Sequence, residues 1–160
     1  MRLHFFPFFR AYCFQTKRKG FTAMSLLSFM KNFLLCGATG WCMECFWTGL
    51  GTLRTGTDKT LRCQTSLWMF PIYGFAALFA PVSRLLKGVP AFFRGTVYTL
   101  LIYTGEFLSG SLLKKHHSCP WDYSQAKFNY KGLIRLDYAP AWFVSGLIFE
   151  KLLEKQTDIR

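Results

Sequence analysis

Asn32-Phe33-Leu34-Leu35-Cys36-Gly37-Ala38-Thr39-Gly40-Trp41-Cys42-Met43-Glu44-Cys45-Phe46-Trp47-Thr48-Gly49-Leu50-Gly51 carries a single charge, Glu44, in twenty residues. At a rise of about 1.5 Å per residue such a stretch spans about 30 Å as a helix, the thickness of a bilayer's hydrocarbon core. Three more stretches read the same way: Leu67 to Leu86, Ala91 to Leu113 and Tyr138 to Leu153. Together the four hold 79 of the 160 residues but only 6 of the 28 charges, Glu44, Arg84, Arg94, Glu106, Glu150 and Lys151. Amphipathic helices of a water-soluble fold would place a polar face at every turn and would not segregate charge in this way. The expectation is an all-α integral membrane bundle of about four transmembrane helices, at 32–51, 67–86, 91–113 and 138–153. They form one domain at 32–153, followed by a short tail at 154–160. Asp137 is expected to cap the fourth helix and Pro140 to sit in its first turn, with Glu150 and Lys151 snorkelling at its end.

Outside these spans the chain is basic. It has 20 Lys plus Arg against 8 Asp plus Glu, a formal charge of +12, with 51% hydrophobic and 19% aromatic residues. That composition excludes disorder, collagen and a solvated coiled coil. The basic residues fall on both sides of the four spans, which argues against a nucleic-acid partner and for a lipid bilayer. Residues 1–31 read as a basic, aromatic arm, or in part as sequence upstream of the true start if translation begins at Met24 or Met30. The tight Lys87-Gly88-Val89-Pro90 link makes the second and third helices antiparallel neighbours. Counting Lys and Arg by side gives 12 against 8, which places both termini in the cytoplasm of a multi-pass cell-membrane protein. A start at Met30 makes the count 7 against 8, and the rule then decides nothing.

Glu44 and Glu106 are the residues that need a reason, because a carboxylate in mid-span costs about 2.5–3.5 kcal/mol on insertion scales. Helices one and three run parallel, and each Glu lies seven residues before its stretch ends, so both are expected at one depth, roughly 10 Å below the same face. The two can therefore meet. Small and polar neighbours (Gly37, Gly40, Thr48 and Gly51 on one side, Thr99, Ser109 and Gly110 on the other) permit close packing. Two readings stand. One is an intramembrane proton or cation site in which one carboxyl holds a proton, since like charges in a low dielectric repel. The other is structural, with each Glu neutral or paired with Arg62 or Arg135.

The connection from Lys114 to Asp137 lies on the same side as the two glutamates. Its Trp121, Asp122, Tyr123, Asn129 and Arg135 either cap the pair or form an interfacial belt. Cys42-Met43-Glu44-Cys45 has the C-x-x-C spacing without the strand and turn of a redox fold, so packing is the expected role. Cys63 and Cys119 share a side and can pair if that side is oxidising. His116, His117 and Cys119 are a weak metal signal, and no metal or cofactor is expected. Gly51 to Thr60 resembles a phosphate-binding loop, but Lys59 comes two residues too late and no strand precedes it. With no nucleophile elbow, H-E-x-x-H or Ser/His/Asp set, enzymatic activity is not expected.

Several blocks resemble one family. Leu61-Arg62 with Ser66-Leu67-Trp68-Met69-Phe70-Pro71-Ile72-Tyr73-Gly74, then Cys119-Pro120-Trp121-Asp122-Tyr123-Ser124, then Phe128-Asn129 with Gly132-Leu133-Ile134-Arg135-Leu136-Asp137-Tyr138, resemble the ABC-transporter type IV, or CmpB-like, family. Gly40, Trp41, Glu44 and Glu106 also look like family positions. The resemblance covers roughly Asn32 to Leu153, and Cys63 departs from it where relatives have Gly. It implies a small multi-pass membrane protein with a permease role and no settled substrate; because four helices are few for a complete pore, a homo-oligomer or a separate ATPase subunit is expected. The matched polar residues Glu44, Arg62, Glu106, Trp121, Asp122, Asn129 and Arg135, with Tyr123, are the candidate site. An accessory protein that organises lipid or a partner complex is the competing class.

Overall fold

In the computed structural model, residues 25–56 and 59–158 are described. They form an all-α fold with one small hairpin. The first helix, α1, runs Leu26–Thr55, so it is longer at both ends than the apolar stretch that announces it. Ser25 starts it by accepting a hydrogen bond from the Ser28 amide at 3.2 Å, and Gly56, at φ 67°, ends it in the left-handed region that glycine adopts without strain. Its last turn is kept helical by Thr52 and Thr55, whose hydroxyls donate back to the Gly49 and Gly51 carbonyls at 2.7 and 3.1 Å. Residues 1–24 of the expected N-terminal arm lie outside the described residues, and its remainder, from Leu26, is the first turn and a half of α1.

The second span is broken. Helix α2 (Met69–Gly74) passes through a 3-10 segment, Phe75–Leu78, into α3 (Phe79–Leu85). Pro81 is the physical reason, since it has no amide to give to the Ala77 carbonyl and its ring crowds that turn. Helix α4 (Ala91–Lys115) follows the expected third span and extends it by two lysines. A two-stranded antiparallel hairpin, β1 (Asn129–Tyr130) and β2 (Ile134–Arg135), pairs Asn129 with Arg135 and turns through Lys131 and Gly132, both at positive φ. A 3-10 turn, Leu136–Tyr138, then leads into α5 (Ala139–Asp158), with Pro140 in its first turn as expected. Asp137 does not serve as the expected simple cap, because its carboxylate is taken by the Arg135 guanidinium at 2.8–3.1 Å.

Helix α1 packs chiefly against α2 and the 3-10 segment, α4 against α5, and α3 against α5. Glycines set the spacing. A Cβ on Gly37 would lie 2.9 Å from the Phe70 ring, and one on Gly74 2.7 Å from Phe33. A Cβ on Gly40 would overlap Tyr73, and on α4 and α5 Gly95 is filled by Phe143 and Gly146 by Tyr98 in the same way. The bundle is thus closed by aromatic rings seated on bare backbone, the small-residue packing expected where helices must approach closely. Its core gathers Cys36, Phe79, Ala80, Tyr98, Phe149 and Leu153, with the Phe79 and Tyr98 rings stacked at 5.0 Å.

Among the described residues no helix is long and apolar enough to cross a membrane. The second span is divided between helices of 6 and 7 residues, and in α1 and α4 Gly, Thr, Tyr and Trp stand at many positions in place of Leu and Ile, which lowers their mean hydropathy. The outer surfaces are nonetheless apolar: Leu34, Phe46 and Leu50 on α1, Phe92, Leu100 and Leu108 on α4, and Val144 on α5 are all exposed.

Candidate functional site

Beside the core, and sharing Ala76, Phe79 and Phe149 with it, lies a cavity of about 1030 Å³ lined by all five helices, the 3-10 segment and the two long connections. Glu44 and Glu106 both line it, so the mid-helix carboxylates of α1 and α4 come to one space. Each carboxylate has its own setting. Glu44 Oε2 accepts a 2.5 Å hydrogen bond from Thr65 Oγ1, a residue of the first connection. That connection is strapped to α1 by Thr48, whose hydroxyl oxygen accepts from the Gln64 amide at 3.1 Å, and by Trp41 Nε1, which donates to the Ser66 carbonyl at 3.0 Å. Gly49 makes the approach possible, as a Cβ there would stand 3.1 Å from the Leu61 carbonyl oxygen.

Glu106 is buried, and its Oε2 has no hydrogen-bond partner. Tyr123 and Trp142 stand beside its carboxyl, yet Trp142 Nε1 is likewise buried and unpartnered. Burial, with the Glu106 carboxyl next to it, pushes the Tyr123 phenol far above its ordinary range and keeps it protonated. A chain of rings rims this part of the cavity: Tyr138 meets Trp47 at 5.5 Å, Tyr123 at 5.9 Å and Trp142 at 6.2 Å, all edge to face. No Lys, Arg or His lines the cavity among the described residues.

The loop between α4 and α5 forms the roof. Trp121 lies on the Gly110 face of α4, and its Nε1 donates to the Leu133 carbonyl at 3.1 Å. Asp122 accepts from the Ser124 amide and hydroxyl at 3.0 and 2.5 Å, which holds its carboxyl below the usual aspartate range. Asn129 donates to the Ala126 carbonyl at 2.6 Å and accepts from the Gly132 amide at 3.0 Å. Arg135 forks onto Asp137 and lies over the Tyr138 ring at 4.4 Å. The Asp137 pairing raises the Arg135 pKa and lowers its own.

The eight candidate residues therefore divide. Glu44, Glu106, Trp121 and Tyr123 line the cavity; Arg62, Asp122, Asn129 and Arg135 do not. Asp122, Asn129 and Arg135 brace the roof, and Arg62 is exposed. Arg135 is not the counter-ion of either cavity glutamate, because Asp137 holds it. Cys63 and Cys119 are free: Cys63 sits against Cys45, and Cys119 against the Trp121 carbonyl at 3.2 Å.

The sequence reading missed one constellation. Glu150, expected to snorkel, is buried and receives Arg94 Nε at 2.9 Å and Tyr98 Oη at 2.8 Å, while Arg94 also donates to the Val89 carbonyl at 2.6 Å. The signal was present, since both charges are among the few inside the apolar stretches and near the same end of antiparallel helices. It joins α4 to α5, and none of its three residues lines the cavity.

A family model described as "Putative ABC-transporter type IV" matches residues 31–159. No solved structure matches the chain.

Proposed function

From the premise that the chain belongs to the ABC-transporter type IV family, whose model matches residues 31–159, we propose that it is a membrane-embedded permease component whose substrate path runs through the two-glutamate cavity. The observation that carries this reading is the meeting of Glu44 and Glu106 at one space under the Trp121 loop. Two mid-helix carboxylates are expensive in an apolar bundle and are retained where a charged group must be received. In this role the glutamates bind a proton or cationic group, Trp121 and Tyr123 seal the mouth, and the Asp122, Asn129 and Arg135 braces set how readily the roof opens.

Embedding in a bilayer is supported by the apolar outer surface and by the treatment of hydroxyls. Thr96, Thr99, Thr104 and Ser109 on α4 each donate to the carbonyl four residues back, at 2.7–2.8 Å. Thr48 on α1 does the same at 2.9 Å. Such side chains meet lipid or a neighbouring helix with their polarity already satisfied, so the spans are less polar to a bilayer than their composition suggests. Five helical segments are few for a complete pore, and a homo-oligomer or a separate ATPase subunit completes it. In this reading both termini face the cytoplasm, on the count of Lys and Arg by side.

The decisive test is substrate-coupled or proton flux in proteoliposomes holding the full chain, alone and with its ATPase partner. Flux lost in both Glu44→Gln and Glu106→Gln supports the permease reading. Unchanged flux overturns it in favour of an accessory membrane protein whose glutamates join helix to loop, as Glu44 does through Thr65. Retention of the chain in membranes after alkaline carbonate washing tests the embedding separately, and release into the wash overturns it.

A further inference from the structure

We propose that the cavity takes a lipophilic ammonium ion: a protonated amine with at least one N–H, carried on an apolar or aromatic body. The inference rests on the cavity being the substrate site and names the class of substrate. Four features support it. Among the described residues the only formally charged side chains lining the cavity are Glu44 and Glu106, so a cation is the complementary occupant and an anion is repelled. Glu44 already has Thr65 as a donor, whereas Glu106 Oε2 is buried with none. A buried polar atom of this kind is expensive unless it is hydrogen-bonded. The Tyr123 hydroxyl and Trp142 Nε1 stand beside the carboxyl without closing a hydrogen bond on Oε2, and an amine N–H supplies that bond where a quaternary ammonium has none.

The third feature is aromatic. Trp47, Trp121, Tyr123, Tyr138 and Trp142 all line the cavity, and ring faces of this kind attract a desolvated cation while offering apolar contact to the rest of the ligand. The fourth is size. A space of about 1030 Å³ is ample for a drug-sized molecule and far larger than a proton or a bare metal ion requires. Trp142 Nε1, buried and unpartnered beside Glu106, adds a donor that an oxygen on the ligand would satisfy. A hydroxylated amine therefore fits both orphaned atoms at once.

The test uses the full chain in lipid nanodiscs and four probes of similar shape: 2-phenylethylammonium, its N,N,N-trimethyl analogue, 3-phenylpropan-1-ol as the neutral isostere, and 2-amino-1-phenylethanol. Affinity is read by equilibrium dialysis and by quenching of tryptophan fluorescence. The primary ammonium is expected to bind at least about tenfold more tightly than the trimethyl analogue or the alcohol, as one charge-assisted hydrogen bond implies, with the amino alcohol tighter still. Glu106→Gln should erase the preference for the primary ammonium, and Trp142→Phe only the added gain of the hydroxyl. Equal binding of the ammonium and the neutral alcohol, or tightest binding by the trimethyl analogue, overturns the proposal. The probe series on the unaltered chain decides this even if a variant misfolds. Binding without any flux in proteoliposomes would remove the permease reading and leave the ammonium site standing; flux of some other solute with no ammonium preference would do the reverse.

Discussion

Arg94 Nε lies 2.9 Å from Glu150 Oε1, and of the two side chains the glutamate is only 3% exposed while the arginine is 26% exposed. The pair clamps the start of α4 to the later part of α5, with Tyr98 as a third member. This asymmetry in exposure fixes what breaking it should do.

Arg94→Leu leaves a buried carboxylate with only the Tyr98 hydroxyl, and should cost about 3–5 kcal/mol. Glu150→Gln leaves an arginine that can turn towards solvent or headgroups, and should cost less. Denaturation of the purified chain in mild detergent measures both; the opposite order would contradict the described geometry.

The glycine sockets predict a paired result. Gly40→Ala must displace the Tyr73 ring and should destabilise by about 1–3 kcal/mol. Gly51→Ala, on the same helix with nothing within 4 Å of its new methyl, should be neutral or stabilising by up to about 1 kcal/mol. Thermal melts of the two variants make the comparison.

Under mild oxidation, Cys63 should link to Cys45, its neighbour across the strap, and not to Cys119, whose sulfur faces the Trp121 carbonyl. Peptide mapping after copper–phenanthroline treatment identifies the product. A Cys63–Cys119 link as the main species would mean that the first connection does not lie along α1.

The roof loop should depend on pH in one direction only. The Asp122 carboxyl is held below its ordinary value of 3.8 by Ser124, so its contribution is present above that pH and fades as pH falls through the lowered value. Amide exchange at Ser124, normalised to its intrinsic rate at each pH, should stay slow at neutral and mildly acidic pH and quicken only under strong acid. In Asp122→Asn it should be faster at neutral pH and lose that acid dependence.

Much of this was legible in the sequence, and the failures have physical causes. The four apolar stretches marked the helices because charge is excluded from them, and the equal offsets of Glu44 and Glu106 from the stretch ends brought both to one cavity. The length of α1 was underestimated because Thr52 and Thr55 read as loop residues, whereas their hydroxyls are bonded to their own helix. Pro81 was visible as a break in the second span but was not used as one. Glu150 was misjudged because burial depends on which residue faces it, and Arg94 lies 56 positions away. The roof residues Asp122, Asn129 and Arg135 stood out as polar groups near the site. Only three-dimensional pairing shows that their hydrogen bonds turn inward to the loop itself.

The rings seated on glycine have a mechanical consequence. Phe70 rests on Gly37 and Tyr73 on Gly40, while Phe33 rests on Gly74 from the opposite helix. Sliding α1 along α2 by about one turn would carry the Phe70 and Tyr73 rings from these bare positions onto the side chains that follow four residues on along the same face, Trp41 and Glu44, so each socket acts as a detent. Opening a bundle built in this way proceeds by rocking whole helices about their sockets, not by creeping one past another.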